Sequence, residues 1–240
     1  MHPPGSGGWN MAVDEALKLG TTSASPLLLR FYGWIPATLS LGYFQTLADR
    51  QQHSASLACP VTRRLSGGGA ILHDRELTYS IVVPPGHPWS ADAQLLYDQL
   101  HQTLIETLAE WKMPAVQCTE PVVRPPAEEP FLCFARRAWG DVLLDGWKIC
   151  GSAQRRRQGT VLQHGSILLA RSPQAPELPG IAELRGQEIP PRELSSAWLE
   201  RLHVAWGLQF QPEEMTPAEI ACAEQLNEQK YDNRPWIERR

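Results

Sequence analysis

Three consecutive glycines, Gly67 to Gly69, follow the pair Arg63-Arg64 and precede a strand-like segment that ends at Asp74. Because glycine lacks a Cβ, backbone N–H groups in such a run can approach a ligand closely and adopt positive φ. Successive N–H groups attract anions or polarised carbonyls, and arginines add donors in a rigid fork. A flexible turn is the simpler alternative. The run fits neither a P-loop nor a dinucleotide-binding turn, since no Gly-Lys-Ser/Thr follows it and no G-x-G-x-x-G opens a helix.

The composition indicates an ordinary globular protein. Of the 240 residues, 42% are hydrophobic and 20% are charged, and this length can bury a sizeable core. The net charge of −4 argues against a broad basic surface for nucleic acid. No apolar run approaches the roughly 18 residues that span a bilayer, and the N-terminus lacks the features of a signal peptide. We therefore expect a cytoplasmic protein that binds neither nucleic acid nor membranes.

The five cysteines are scattered along the chain and form no C-x-x-C pair. An odd number without paired spacing favours neither a disulfide framework nor a zinc site. We expect reduced thiols and no metal centre. They are Cys59, Cys118, Cys133, Cys150 and Cys222.

The amino-terminal half predicts two helices with three strands between them. Asn10 can cap a helix over residues 11 to about 19. β-favouring runs predict strands at 27–32, 38–42 and 77–83, and alternation makes the last of these half-buried. Leucines at spacings of three and four predict a helix over about 91–111, which Ser90 can cap.

The carboxy-terminal half predicts more strands and two final helices. Strands at 141–144 and 147–153 are joined at Asp145-Gly146, a good hairpin signal, and another strand fits 161–169. Proline-rich stretches at 119–130 and about 172–191 predict irregular segments. Apolar spacing predicts a helix over 194–206 that ends at Gly207, and a capping box at Thr216 begins the last one.

The order of these elements predicts the fold class. Because the strands cluster rather than alternate strictly with helices, we expect an α/β protein in the broad sense (α+β). It would contain a mixed, mostly antiparallel sheet packed with helices, in a single domain over residues 1–240.

A second group of residues carries candidate chemistry. In residues 141–154, Lys148 leaves the hairpin turn and enters a strand that ends in small and polar residues, and Gln163-His164-Gly165 follows in the next strand. Such a lysine is a solvated strand end, or it holds an acyl oxygen as negative charge develops, or it activates a nearby thiol. The residues alone leave these alternatives open.

Together, these segments resemble the superfamily of lipoate-protein ligase A and octanoyltransferases, which is related to the biotin protein ligases. Residues 10–17 resemble its opening helix, and residues 30–45 resemble its second motif. Residues 63–74, 148–154 and 163–165 resemble its acyl-pocket motifs. The ordered matches cover nearly the whole chain. The resemblance implies a fold like the biotin/lipoate protein ligase catalytic domain.

The resemblance also implies which residues bind the substrate. The arginines and glycines of 63–69 would shape the mouth of a tunnel and hold the acyl carbonyl, and Ala70 and Ile71 would line the chain pocket. The full implied set is Tyr32, Gln45, Arg63, Arg64, Ser66, Gly67, Gly68, Gly69, Ala70, His73, Gly151, Ser152, Ala153, Gln154, His164 and Gly165.

Two chemistries compete within the superfamily. Ligases activate a free acid with ATP and magnesium, whereas octanoyltransferases take an acyl group from acyl carrier protein through a cysteine thioester. Residues 76–81 and 231–236 resemble the LipM-type octanoyltransferase branch, and the chain ends without the extra domain common in ligases. Cys133-Phe134 stands where that branch carries its nucleophile. We therefore predict an octanoyltransferase; the alternatives are an ATP-dependent lipoate ligase and a non-catalytic lipoyl- or acyl-binding relative.

The mechanism implied by the resemblance uses Cys133 and Lys148 as catalytic residues. The Cys133 thiolate would attack the octanoyl thioester of acyl carrier protein, while Lys148 favours the thiolate and stabilises the oxyanion. A lysine of a lipoyl domain, in the glycine cleavage H protein or a dehydrogenase E2 subunit, would then accept the acyl group. This chemistry requires neither a cofactor nor a metal.

Three positions depart from the family pattern. Residues 135–140 replace the usual sequence after Cys133-Phe134, so the loop that carries the cysteine is altered. Residues 66–70 resemble the ligase version of the glycine motif, which keeps the ligase alternative open. Cys150 lies two residues past Lys148, and alternate residues of a strand share a face. Cys150 is therefore an alternative nucleophile, although packing in the core is the simpler interpretation.

Other charged and titratable residues also have two interpretations. His73 and His164 either hold loops by hydrogen bonds or transfer protons, and we assign neither a catalytic role. Arg136-Arg137 and Arg155-Arg156-Arg157 either form a basic rim for acidic carrier and lipoyl domains or are solvated surface charges.

Overall fold

The computed structural model describes residues 1–125 and 128–239. Its helices are α1 (Gly7–Gly20), α2 (Pro88–Ala91), α3 (Ala93–Glu110), α4 (Ile181–Arg185), α5 (Pro191–Trp206), α6 (Pro217–Leu226) and α7 (Arg234–Ile237). Its strands are β1 (Leu28–Tyr32), β2 (Thr38–Leu41), β3 (Val61–Arg63), β4 (Ile71–His73), β5 (Glu76–Val83), β6 (Val116–Gln117), β7 (Val142–Leu144), β8 (Trp147–Arg157) and β9 (Thr160–Leu168).

The strands form two sheets. The larger has six antiparallel strands in the order β1-β5-β9-β8-β7-β6. The smaller has the order β3-β2-β4, in which β2 runs parallel to β3 and antiparallel to β4. Asp145 and Gly146, which join β7 to β8, both have positive φ, as the predicted two-residue hairpin turn requires. The expected mixed, mostly antiparallel α+β fold is confirmed.

One face of the large sheet packs against α3 and α5. The predicted leucine face of α3 is fully buried there, and Trp198 of α5 meets Tyr79 of β5 edge to face, with ring centres 5.0 Å apart. Each fully buried leucine contributes about 1.5–3 kcal/mol relative to an exposed one. The leucines are Leu96, Leu100, Leu104 and Leu108.

The opposite face of the large sheet packs against α1, which in turn contacts α6. Strand β5 is therefore buried along its whole length, and the prediction that it is half-buried was wrong. Its polar side chains are satisfied inside: Ser80 donates to Asp14 of α1 at 2.8 Å, and Thr78 accepts from Trp34 at 2.8 Å. The alternation of apolar and polar residues correctly predicted a polar face on β5. That face is buried nevertheless, because it packs against α1, which presents polar side chains to it.

The first helix begins four residues earlier than the sequence suggested. Its N-cap is Ser6, whose side chain accepts from the backbone of Trp9, and Asn10 lies inside the helix. Asn10 instead donates to Gly5 and Gly33 and accepts from Arg30 at 2.7 Å. Glycines are poor helix formers, which hid this start. They serve close packing here, since a Cβ at Gly7 would lie 2.6 Å from a methyl group of Thr38.

The other helix boundaries differ by a few residues. The predicted helix over 91–111 is split at Asp92, which caps α3 through the backbone N–H of Leu95. Helix α5 begins at Pro191 rather than 194, because proline is accepted in a first turn. The capping box of Thr216 with Glu219 is present as predicted. No helix within the described residues is long and apolar enough to cross a membrane.

Candidate functional site

A cavity of about 280 Å³ lies where α1, strands of both sheets and the short helical turn Cys133–Ala135 meet. Most of the residues that the sequence assigned to the site line this cavity. They are Tyr32, Arg64, Gly67, Gly68, Ile71, His73, Cys133, Lys148, Gly151, Ser152, Ala153, Gln154, His164 and Gly165. Motifs that are up to about half the chain apart are thus brought together.

Five of the expected binding residues support the cavity without lining it. Arg63 was expected to hold the acyl carbonyl, but its guanidinium donates to the carbonyls of Gln45 and Ile237, both at 2.6 Å. The Gln45 side chain accepts from the backbone N–H of Gly42. Ala70 accepts from the backbone of Cys133 at 2.7 Å. These residues, with Ser66 and Gly69, hold the loops of the cavity together.

Arg64 holds the glycine turn in shape. Its guanidinium donates to the carbonyls of Gly67 at 2.9 Å and Gly69 at 2.6 Å. Burial lowers the pKa of Arg64 to about 10, so the side chain is still cationic at neutral pH. Gly68 has φ +93°, a left-handed conformation that favours glycine. The turn therefore requires a glycine here, and it places Gly68 beside the Cys133 sulfur.

Cys133, Lys148 and Asp141 form a connected group at the cavity wall. The Nζ atom of Lys148 lies 3.8 Å from Sγ of Cys133 and 2.9 Å from Oδ2 of Asp141. Asp141 also accepts from the backbone N–H of Ala138 at 2.7 Å and from the hydroxyl of Tyr97 at 3.2 Å. The carboxylate is therefore fixed by three donors, and it holds the ammonium group beside the sulfur.

The electrostatics keep Lys148 charged although it is buried. Burial alone lowers the pKa of this lysine, but the negative charges of Cys133 and Asp141 outweigh burial, and the net pKa is raised. A lysine that stays protonated is not a general base. Its ammonium group can instead stabilise negative charge on the sulfur or on a nearby oxyanion.

A bulge and a glycine aim Lys148 into the cavity. Val142 of β7 lies opposite Cys150, whereas Leu143 lies opposite Lys148, so Ile149 is an extra residue in β8. Bulges re-aim the side chains next to them. The Lys148 chain crosses the backbone of Gly151, where a Cβ would lie 2.5 Å from Cε and 2.7 Å from Nζ.

On the mechanism that the resemblance implies, we predict that Gly151→Ala slows acylation of Cys133 by about 10- to 100-fold, because a displacement of about 1 Å in a catalytic group has this effect. The fold should be retained, since the added methyl meets the end of a flexible side chain. Gly20→Ala is the matched control, because nothing lies within 4 Å of its Cβ position. Rates and melting temperatures of both variants check the prediction; an unchanged rate in Gly151→Ala would contradict it.

Cys150 is packed in the core, on the side of His101, although the charges of Asp141 and Lys148 still act on it. It is fully buried, and its sulfur lies 3.8 Å from Nε2 of His101. Burial, with the Asp141 carboxylate, raises the pKa of the Cys150 thiol. Burial lowers the pKa of His101 to about 4, so the imidazole is neutral. The expectation that Lys148 and Cys150 share a face was wrong because of the bulge, while the expected burial of Cys150 is confirmed.

The two motif histidines belong to buried hydrogen-bond networks. His164 meets Ser66 at 2.5 Å and lies 3.5 Å from Asp14, which also accepts from Tyr32. His73 meets Glu76 at 2.6 Å and stacks on Trp34, with ring centres 3.8 Å apart. Both histidines also line the cavity.

Several residues of the site were not predicted from the sequence. Asp141 was read only as the start of a strand, although it is the partner of Lys148. An acidic residue seven positions before a motif lysine gives no local signal, since the pairing depends on the hairpin. The other missed lining residues are Met11, Trp34, Thr78, Phe134 and Ser166.

Comparison with known proteins agrees with this geometry. The model of the lipoyl protein ligase A/B catalytic domain matches residues 6–175. This chain belongs to that family. The octanoyltransferase LipM of Macrococcus caseolyticus is 34% identical to it, over 97% of this chain and 94% of the relative. The octanoyltransferase LipM of Kyrpidia tusciae is also 34% identical, over 92% and 91%. The predicted octanoyltransferase branch is confirmed.

A solved structure shows the same fold. It is a bipartite lipoate protein ligase from Thermoplasma acidophilum, described with its E2 lipoyl domain. The TM-score is 0.77 at 19% identity, over 99% of this chain and 94% of that one. The cavity of this family member thus lies in a fold that it shares with lipoate ligases.

Proposed function

We propose that this octanoyltransferase takes an octanoyl group from acyl carrier protein as a thioester on Cys133. It then transfers the group to a lysine of a lipoyl domain, in the glycine cleavage H protein or a dehydrogenase E2 subunit. The observation that carries the proposal is the distance of 3.8 Å between the Lys148 ammonium and the Cys133 sulfur. Cys133 is partly buried, and it lies at the wall of a cavity that also has apolar sides.

The first half-reaction moves the acyl group between two sulfur atoms. The Cys133 sulfur attacks the octanoyl carbonyl, a new C–S bond forms, and the carrier's C–S bond breaks. The proton lost by the Cys133 thiol ends on the carrier thiol. The Lys148 ammonium stabilises the attacking thiolate and the oxyanion; one such donor is worth about 2.7–4 kcal/mol in the transition state.

The second half-reaction forms an amide. The neutral amine of the acceptor lysine attacks the thioester carbonyl, a C–N bond forms and the C–S bond to Cys133 breaks. The amine loses a proton and the Cys133 sulfur regains one, so the enzyme returns to its starting state. Throughout both steps Asp141 keeps the ammonium group in place through the contact at 2.9 Å.

The apolar part of the cavity is suited to the octanoyl chain. Met11, Tyr32, Trp34, Ile71 and Phe134 contribute the large side chains of the wall. Burial of methylene groups among such residues gives about 0.8 kcal/mol each. The carbonyl end of the chain would then lie near Cys133, Lys148 and the glycine turn.

The test is the intact mass of the purified protein after incubation with octanoyl carrier protein and no ATP. We expect an octanoyl adduct that hydroxylamine removes and that disappears when a lipoyl domain is added. A protein without an adduct, which acylates a lipoyl domain only from octanoic acid with ATP and magnesium, would be a ligase. That result would overturn the proposal.

A further inference from the structure

A group of cations lies on β8 and the carboxy-terminal segment. We name it the cationic rim: Arg155, Arg157 and Arg239, with the buried Lys18 within electrostatic reach of the first two. Arg155 directly follows the cavity residue Gln154, and its guanidinium carbon lies 5.4 Å from the centre of the Tyr43 ring. The guanidinium of Arg239 lies 4.4 Å from the same ring. The carboxy-terminal segment and β8 thus bring their arginines to one aromatic side chain.

The loop with Tyr43 connects the cationic rim to the cavity. The backbone N–H of Tyr43 donates to the carbonyl of Ser66 at 2.9 Å. The ring of Phe44 lies 3.7 Å from the Cβ position of Gly67, which lines the cavity, and 67% of Phe44 is exposed. A molecule that contacts the rim is therefore adjacent to the entrance.

The three arginines of the rim have no ion-pair partner among the residues that the structure describes, and neither has Lys18. Burial lowers the pKa of Lys18, the Glu15 carboxylate opposes this shift, and the charges of Arg155, Arg157 and Lys230 add to it. Lys230 is paired with Glu15 at 2.6 Å. The rim thus collects like charges in a chain whose net charge is −4.

The other arginine pair near the site differs. Arg136 forms an ion pair with Glu129, and Arg137 donates to the carbonyl of Gly146. These contacts hold the loop that follows Cys133. Of the two basic runs in the sequence, the one on β8 has no ion pair among the described residues.

We propose that the cationic rim docks the acidic carrier protein that donates the octanoyl group. This inference rests on the proposed function. The donor carries its thioester on a phosphopantetheine arm. Guanidinium groups bind well both to the phosphodiester of this arm and to the acidic side chains of the carrier protein. The acceptor side chain that enters the cavity is a lysine, which carries no phosphate for the arginines to bind. Charge complementarity therefore favours the donor.

Strand β8 supplies a matched control. Side chains alternate along a strand, so Arg156 points away from the face that carries Arg155 and Arg157. Only the latter two act on Lys18. Arg156→Glu makes the same change in net charge as Arg157→Glu but places it on the other face.

The experiment compares Arg157→Glu, Arg239→Glu and Arg156→Glu at low salt. The rate constant of acylation is measured by intact mass with octanoyl carrier protein and with octanoyl-pantetheine, which has no phosphate. We expect the ratio of the two rate constants to fall about tenfold for each rim variant, because steering by charge changes association rates by about 10- to 1,000-fold. Arg156→Glu should keep the wild-type ratio, and salt should reduce the ratio in wild type.

Three results would overturn the docking proposal. An equal loss in Arg156→Glu would indicate a general charge effect, and equal losses with both donors would indicate a change in the cavity. Slowing only of transfer to the lipoyl domain would assign the rim to the acceptor. If wild type is acylated by neither donor, the proposed function fails, and the docking proposal fails with it.

Discussion

Replacement of Cys133 by alanine is expected to abolish octanoyl transfer. The sulfur carries the acyl thioester through which both half-reactions of the proposed cycle pass, and removal of a nucleophile that works with its partners lowers the rate by more than about 1,000-fold. The fold should be little affected, because the side chain is only partly buried in a short helical turn. Intact mass should show no adduct, and a lipoyl domain should stay unmodified.

Cys150→Ala is the control for this experiment. Its thiol lies in the core beside His101, so the variant should lose about 1 kcal/mol of stability to a small cavity and keep the adduct. The opposite pattern, an adduct retained in Cys133→Ala and lost in Cys150→Ala, would move the nucleophile to Cys150.

Replacement of Lys148 by methionine should reduce both activity and stability. Loss of the ammonium group beside the sulfur is expected to slow acylation by about 100- to 1,000-fold. The variant also leaves the Asp141 carboxylate, 2% exposed, without its cation. An unpaired buried charge costs about 3–5 kcal/mol. Acylation rates and the free energy of unfolding measure the two effects separately.

The double variant Lys148→Met/Asp141→Asn separates catalysis from folding. Removal of both charges should restore most of the stability, since no buried charge is then unpaired. Activity should stay as low as in Lys148→Met, because the cation is still missing. Recovery of activity together with stability would mean that Lys148 acts only through the fold.

Local patterns predicted those parts of the fold that depend on neighbouring residues. The Asp145-Gly146 turn, the leucine face of α3 and the capping box at Thr216 are each decided within a few positions. The start of α1 was not predicted, because it depends on residues that are distant in the sequence. Its glycines oppose a helix locally, and close packing against Thr38 explains them.

The candidate site shows the same division. Motif resemblance identified Cys133, Lys148 and most of the cavity lining, because these residue types recur in a fixed order. It placed Arg63 in the site, yet this side chain ties the loop of Gln45 to the carboxy-terminal segment. A motif gives the position of a residue, but the direction of its side chain depends on the carbonyls that surround it.

The sequence by itself determined the class of fold and the family, and it predicted the pair Cys133 and Lys148. Only the tertiary structure decided that Asp141 fixes the ammonium group and that Cys150 is turned into the core. These two arrangements depend on the extra residue in β8 and on Gly151, which has no side chain to block the path of Lys148. The physical reason is that a bulge changes the faces of a strand through its pairing with β7, and strand pairing is not encoded in the spacing of residues along one strand.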